Sequence, residues 1–243
     1  MVNNLNKGRP PGWEEAELFS FIEDSWSNAL ATFANKNIIC RRLDEVDQIF
    51  LKVQRGLSLS RMKELVPALL FMRCFSAYRS MVTLGLASPT DAFAVMRSCL
   101  ESAAYAMYVH GDEKLAEVWL RRSETKSAAQ EVRDLFKQGL VRAAIKAKDP
   151  KVASDYGQLY ERAIDFGAHP NEQAVLTNMV AGSLRGGGEL QYSLLSGDGP
   201  LLDGILRSAV QTGICALHIF SHVFPARYDG SVRAELVRVS RDF

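Results

Sequence analysis

The segment 91–110, DAFAVMRSCLESAAYAMYVH, constrains the fold more than any other part of the sequence. Away from its two ends, its only charged residues are Arg97 and Glu101, and the others are apolar, small or tyrosine. Apolar residues on every side of a helix are typical of a core helix that other helices surround. We therefore expect a central helix over 91–110, with three side chains almost fully buried: Met96, Leu100 and Met107.

Arg97 and Glu101 are four residues apart, so they lie on one face of this helix. An unpaired charge in a protein interior costs several kcal/mol, so both residues need partners. The pattern predicts a polar pocket in which Arg97 binds an anion or orients a carboxylate, while Glu101 accepts a proton or acts as a ligand. Tyr105 lies close to the same side. A purely structural ion pair would explain the same pattern, and both interpretations stay open.

The rest of the chain is a succession of helical patterns, so we expect a mainly α fold, a single-domain helical bundle. One region differs: residues 174–197 contain three consecutive glycines between two short apolar runs, which predicts a β-hairpin. Residues 1–12 are expected to form a flexible N-terminal arm and residues 13–243 a single helical domain. The other predicted helices cover 13–34, 41–55, 58–86, 112–122, 125–147, 150–166 and 199–224.

Composition excludes several classes of protein. The formal net charge of +1 argues against bulk attraction to nucleic acid or to an anionic membrane. No stretch reaches the roughly 18 uninterrupted apolar residues of a membrane span. The four cysteines have no metal-ligand spacing, which favours buried, reduced thiols in a cytoplasmic protein, and no cofactor is expected. Base rates for soluble proteins and the many apolar helix faces predict a homodimer.

The stretch YERAIDFGAHPNE, 160–172, interrupts a helical pattern with a histidine. Gly167 can adopt the left-handed conformation that ends a helix, and Pro170 prevents the helix from resuming at once. His169 then stands just beyond a helix end, and we expect its ring to face Arg97 and Glu101. The alternative is a turn histidine exposed to solvent.

These observations lead to a first functional hypothesis, a binding module that recognises a small anionic ligand or a partner. Whether the protein is an enzyme stays open. The candidate ligand-binding residues are Arg97, Glu101, Tyr105, His169 and Asn171.

Two short stretches of the chain resemble known families. The combination of RSCLES (97–102) with DFGAHPN (165–171) resembles a family of bacterial all-α proteins of unknown function. That resemblance covers roughly the second half of the chain and implies no known activity. Arg162 followed by His169 is similar to the R-x(4–6)-H motif of the HEPN ribonucleases, which implies metal-independent action of these two residues on RNA at a dimer interface. In that family a polar residue normally follows the arginine, whereas Ala163 follows it here.

The final helical segment, 199–224, carries its polar residues on one stripe, because their spacings are four, four, seven and four. One interpretation is a solvated face on an otherwise buried helix. The other is a metal site, since His218 and His222 stand four apart and could share one ion. We expect no structural ion, because a closed site needs four ligands and only two are evident. The stripe comprises Asp203, Arg207, Gln211, His218 and His222.

Overall fold

The computed structural model describes residues 9–57, 62–169, 172–179, 192–195 and 197–241, and this part of the chain is mainly α-helical. Short 3-10 turns cover Trp13–Glu15 and Pro225–Arg227, and a π-helical turn covers Ile164–Ala168. The expected mainly α class is confirmed. The helices are α1 Glu17–Asn35, α2 Asn37–Arg55, α3 Met62–Ala87, α4 Pro89–Val109, α5 Glu113–Leu120, α6 Lys126–Leu135, α7 Gln138–Lys148, α8 Pro150–Ala163, α9 Glu172–Leu176, α10 Pro200–Val223 and α11 Gly230–Ser240.

Helix α4 occupies the centre of the fold, packed mainly against α3 and α10. Met96, Leu100 and Met107 are buried, as their positions in the sequence predict. The expectation that α4 is enclosed on every side is wrong, however. One stripe of the helix is only half-buried, because no other helix covers it completely, and it consists of Arg97, Glu101, Tyr105 and Tyr108.

Helix α2 buries the apolar face that its three- and four-residue spacing predicts: Leu43, Val46, Ile49, Phe50 and Val53. Its aromatic contacts are with α3, where the ring of Phe50 stacks on that of Phe75 with centroids 5.2 Å apart. The hydroxyl of Tyr78 donates a hydrogen bond of 2.7 Å to the carbonyl oxygen of Leu43. Burial of these aromatic rings is a large favourable contribution to folding.

Helix α10 approaches α2 and α3 very closely at Gly213. A Cβ atom at this position would lie 2.5 Å from Cε2 of Tyr78 and 2.6 Å from Cγ1 of Val46. Real Cβ atoms essentially never approach other atoms this closely. Glycine at 213 therefore sets the distance between these helices.

The sequence pattern over 125–147 predicted one helix, but the structure has two. Helix α6 ends at Leu135, and the buried ring of Phe136 packs against Tyr105 and Tyr108 of α4. The chain leaves the helix at Phe136, which has φ −97° and ψ 37°. Helix α11 was also missed, although its buried Val232, Leu236 and Val239 have helical spacing.

The β-hairpin predicted for residues 174–197 is not seen. Its first residues belong to α9, and no strand is present in the part of the chain that the structure describes. Met179 and Tyr192 form an isolated antiparallel bridge, while residues 180–191 lie outside the described ranges. At the expected N-terminal arm, of which residues 1–8 also lie outside them, Nη2 of Arg9 is 2.6 Å from Oε2 of Glu23.

One helix in the described part of the chain, Glu64–Ala87 within α3, is long and apolar enough to cross a membrane by length and composition alone. Within its most apolar window, 56% is buried in the fold. Core helices pass the same test, so this observation is weak evidence for a membrane span.

The π-helical turn after α8 brings the chain to the beginning of α4. Gly167 has φ 173° and is therefore extended, so the expected left-handed helix end is wrong. A Cβ atom at 167 would lie 2.5 Å from the carbonyl oxygen of Thr90. Glycine permits this close approach, and the ring of Phe166 stacks on that of Phe93 beside it, with centroids 5.6 Å apart.

Candidate functional site

Around Arg97, where a polar pocket is predicted, the side chains form a cluster in which they bond to one another. Nε of Arg97 donates to Oε1 of Glu101 at 2.9 Å, and the hydroxyl of Tyr160 on α8 donates to the same oxygen at 3.0 Å. The guanidinium carbon of Arg97 lies 5.2 Å from the centroid of the Tyr160 ring, within cation–π range. The side chains of Arg97 and Glu101 are 30% and 34% exposed, so the pair is less buried than expected.

The pKa values of the side chains in this cluster also indicate that its charges are paired with one another. Burial and the negative charge of Glu101 raise the pKa of Tyr160 to about 12, which keeps its hydroxyl protonated and able to donate. Burial alone would lower the pKa of Arg97, but its hydrogen bond to Glu101 and the charge there raise that pKa overall. Burial also raises the pKa of Tyr105, as it does that of Tyr160. The charge of Arg97 is therefore already neutralised within the protein.

The structure does not bring His169 to Arg97 and Glu101. His169 is exposed and lies in a different hollow, together with Thr90 and Asp91 at the beginning of α4. Asp91 precedes Arg97 by six residues, which is about 9 Å along a helix axis. No contact of His169 with Arg97 or Glu101 is found among the described residues, and the π-helical turn leads the chain to this end of α4. The fifth predicted ligand-binding residue, Asn171, lies outside the described residues.

Arg162 and His169, the pair on which the HEPN similarity rests, occupy different places. Nη1 of Arg162 donates to Oγ of Ser208 at 3.2 Å and to Oε1 of Gln211 at 2.7 Å, both on α10. His169 lies in the hollow at the beginning of α4. The described contacts therefore connect Arg162 to α10 and not to His169.

The two histidines of α10 also have separate partners. Nε2 of His218 is 3.1 Å from Oγ of Ser240 on α11, and Nε2 of His222 is 3.5 Å from Oδ2 of Asp149. A search of the described residues finds no group of three or more His, Cys, Asp or Glu side chains that could hold a metal ion. The geometry thus gives His218 and His222 different neighbours.

A cleft that the sequence patterns did not predict lies between α8, α10 and α11. Its volume is about 210 Å³. We call it the α8–α10 cleft. Its polar lining includes Lys151, Asp155, Arg162, Gln211, His218 and Ser240.

The charges in the α8–α10 cleft are not balanced. The hydrogen bonds of Arg162 go to the uncharged side chains of Ser208 and Gln211, and no ion pair of Arg162 or Lys151 is found among the described residues. Burial lowers the pKa of His218, which favours its neutral ring. Among the residues that line the cleft, Lys151 and Arg162 outnumber Asp155, while Asp149, which lies beside His222, also acts on His218.

The lining of the cleft also contains a thiol. Cys215 lies there, and burial strongly raises the pKa of its thiol. A protonated thiol is a poor nucleophile and a poor metal ligand. The groups that can act on a ligand are therefore the guanidinium, ammonium, amide, imidazole and carboxylate at its sides.

The sequence contained part of the signal for this cleft. The polar stripe on 199–224 already included Gln211 and His218, and on α8 three more polar residues recur at spacings of four and seven: Lys151, Asp155 and Arg162. Such spacings place residues on one helix face. What the sequence did not indicate is that these two faces meet.

Searches against protein-family models, curated proteins and solved structures found no match to this chain.

Proposed function

We propose that the protein is a binding module for a small anionic ligand carrying a carboxylate or a phosphate, and that the α8–α10 cleft is its ligand site. Arg162 is the anchor of this site. The observation that carries the proposal is a guanidinium that lines a cavity and whose hydrogen bonds within the described ranges go to uncharged groups. The fork of N–H donors on arginine matches carboxylate and phosphate oxygens and binds them strongly.

The sequence suggested the same class of function for Arg97, but the contacts favour Arg162. A ligand anion at Arg97 would have to compete with Glu101, which is attached to the same helix and already 2.9 Å away. At Arg162 the competing acceptors are the uncharged Ser208 and Gln211, which bind a cation less strongly than a carboxylate does. The anion-binding role is therefore assigned to the α8–α10 cleft.

The size and lining of the cleft restrict the ligand further. Pockets for drug-sized molecules enclose about 300–1,000 Å³, and the cleft, at about 210 Å³, is smaller. A small organic acid or a phosphate suits this volume better than a nucleotide. Asp155 can accept a hydrogen bond from a hydroxyl or ammonium group of the same ligand, which would favour an acid that carries such a donor.

The experiment that tests this proposal is calorimetric titration of the protein with inorganic phosphate and with a panel of small hydroxy, amino and dicarboxylic acids. At least one of these anions should bind. Arg162→Gln should weaken that binding about 10- to 100-fold, because a charge-assisted hydrogen bond contributes about 1.5–3 kcal/mol. Arg97→Gln is the matched control and should change the affinity less than about twofold.

Two results would contradict the proposal. One is the absence of heat of binding for every anion of the panel at millimolar concentration. The other is an equal loss of affinity in the Arg162→Gln and Arg97→Gln variants, which would mean that binding reflects overall charge and not the cleft.

A further inference from the structure

Helix α1 exposes an apolar face to solvent. Its outward side chains recur at spacings of four and three residues and cover a face about 120° wide. None of them is even two-thirds buried. Their exposed fractions are 65% for Leu18, 44% for Ile22, 56% for Trp26, 49% for Leu30 and 56% for Phe33. We call this set the α1 face.

The side of α1 that contacts the body of the protein includes polar side chains. Oγ1 of Thr32 donates to the carbonyl oxygen of Leu86 at 3.0 Å, and Nδ2 of Asn28 donates to that of Ala87 at 3.1 Å. A surface helix normally turns its apolar face to the core and its polar face to water. Helix α1 instead leaves most of its apolar face exposed, so this face is suited to contact with something outside the described chain.

Support for α1 from the rest of the protein is limited. These two hydrogen bonds come from its C-terminal half, at the end of α3. The N-terminal half is held by the preceding 3-10 turn, where the ring of Trp13 stacks on that of Phe19 with centroids 4.5 Å apart. Nε1 of Trp13 also donates to Oε1 of Glu23 at 2.8 Å. Most of the stability of a helix in a protein comes from packing of its apolar face, so covering the α1 face would stabilise the helix itself.

We propose that the α1 face is the interface of a homodimer, in which α1 packs antiparallel against α1 of a second copy about a two-fold axis at Trp26. Trp26 lies near the middle of the face in sequence. An axis there places Ile22 opposite Leu30 of the other copy and Phe19 opposite Phe33. Every large side chain of the face then meets an apolar residue.

A groove beside Phe33 makes this surface complementary to itself. The groove has a volume of about 390 Å³ and lies between α1, α2 and α3, with Leu43, Val82 and Leu86 in its lining. In the proposed register, the stacked rings of Trp13 and Phe19 of the second copy reach this groove. A projection at one end and a recess at the other are what a two-fold symmetric interface requires, because each copy fills the recess of the other.

The area of the face fits a dimer of modest size. Taking about 200 Å² for an aromatic side chain and about 100 Å² for an aliphatic one, the exposed fractions correspond to on the order of 400 Å² per copy. The two copies together bury about 800 Å², and insertion of the two ring stacks into the grooves raises the total to about the 1,000 Å² expected of a specific interface.

Charge on α1 selects both the orientation and the occupant. Its acidic residues all lie in the N-terminal half, and the segment 17–35 contains no lysine or arginine. Antiparallel packing separates the acidic halves of the two copies, whereas parallel packing would place like charges opposite each other. Helices that lie on membranes are typically rich in lysine and arginine. An acidic helix is repelled by anionic lipid, so a second copy is the better occupant. The acidic residues are Glu17, Glu23 and Asp24.

The test is the oligomeric state of the full chain, measured by light scattering after size exclusion and by sedimentation equilibrium. The wild type should be a dimer at micromolar concentration. Trp26→Glu places two like charges at the axis and should raise the dissociation constant by at least about 100-fold. Leu140→Glu is the matched control, because Leu140 on α7 is 47% exposed and lies outside the face, and it should leave the dimer intact.

The register is tested by cross-linking with an added oxidant, since the four native cysteines are buried. Trp26→Cys should form a disulfide with the same cysteine of the second copy. Leu18→Cys should form no such disulfide. Circular dichroism verifies the fold of each variant, and Ile22→Asn replaces Trp26→Glu if the latter unfolds. A monomeric wild type, equal dissociation by Leu140→Glu, binding of the monomer to anionic vesicles, or cross-linking of Leu18→Cys in place of Trp26→Cys would overturn the proposal.

Discussion

Helices α4 and α10 are both central, largely apolar helices that carry one polar stripe, but the two stripes differ in how their charges are balanced. On α4, Arg97 has a carboxylate four residues away and a tyrosine from α8 that shares it. On α10, the stripe meets Arg162 of α8 with uncharged oxygens. A carboxylate on the same helix makes the first arginine part of the structure. For the second arginine, no ion pair is found among the described residues, which leaves it able to bind an anion.

Substitutions at buried apolar positions of α4 and α10 should give the largest changes in the free energy of unfolding. Leu100→Ala on α4 and Leu206→Ala on α10 should each lower the free energy of unfolding by about 2–5 kcal/mol, since both side chains are fully buried and truncation leaves a cavity. Urea denaturation measures this. Leu140→Ala, at an exposed position, should stay within about 0.5 kcal/mol of wild type. If Leu100→Ala lowered the free energy of unfolding by less than about 0.5 kcal/mol, the central position of α4 would be wrong.

Substitutions of the charged residues at the two polar stripes should then change the free energy of unfolding by different amounts. Glu101→Ala should cost about 1–3 kcal/mol, because Arg97 and Tyr160 both lose their acceptor. Partial exposure of the pair keeps this below the 3–5 kcal/mol typical of a fully buried ion pair. The double variant Arg97→Met with Glu101→Leu should recover most of the stability. Arg162→Gln should change the free energy of unfolding by less than about 1 kcal/mol, since the partners it leaves are uncharged.

Equal destabilisation by Glu101→Ala and Arg162→Gln in urea denaturation would contradict this comparison. It would mean that the α8–α10 cleft is held together by Arg162 as strongly as the α4 cluster is by Glu101. The midpoint and slope of each transition should be compared, because a changed slope reports altered compactness and not altered stability.

The smallest expected effect is a pH dependence that belongs to the α10 stripe. Burial lowers the pKa of His218 below its ordinary value of 6.5, although Asp149 and Asp155 oppose this shift. The unfolded chain therefore binds a proton at a higher pH than the native state. The corresponding stability is present above about pH 6.5 and decreases as the pH falls towards the native pKa.

Thermal midpoints measured between about pH 5 and pH 8 should show this decrease for the wild type. It should be smaller in His218→Gln. His169→Gln, which alters an exposed histidine, should retain the wild-type slope. If His169→Gln removed the slope and His218→Gln did not, the assignment of the neutral ring to His218 would be wrong.

Local patterns predicted much of the fold because burial leaves a periodic signature. The inner face of α2 and the burial of Leu100 on α4 followed from spacing and composition alone. For α1, the spacing of Leu18, Ile22, Trp26 and Leu30 indicates an apolar face but not its direction, since periodicity is the same whether the partner lies in the same chain or outside it. The break at Phe136 coincides with a tertiary contact with Tyr105 and Tyr108, which local helix propensity does not report.

The candidate site was predicted less well, because it depends on how distant segments meet. Charge spacing on α4 correctly paired Arg97 with Glu101, but it did not show that one side of the helix reaches solvent. The prediction for His169 rests on two charges of α4 that need partners and on a ring held just beyond a helix end. The close approach of Gly167 to Thr90 leads the chain elsewhere. The α8–α10 cleft required knowledge that the polar faces of α8 and α10 oppose each other.

The close crossing at Gly213 has a consequence for the tolerance of the protein to mutation. Every other amino acid carries a Cβ atom, and at this position that atom would meet packed ring and branched side chains of the core. At Gly157, by contrast, the nearest obstacle is the guanidinium of Arg142, an exposed side chain that can move aside. In a library of all single substitutions, position 157 should accept small residues, while position 213 should accept none without loss of the folded protein.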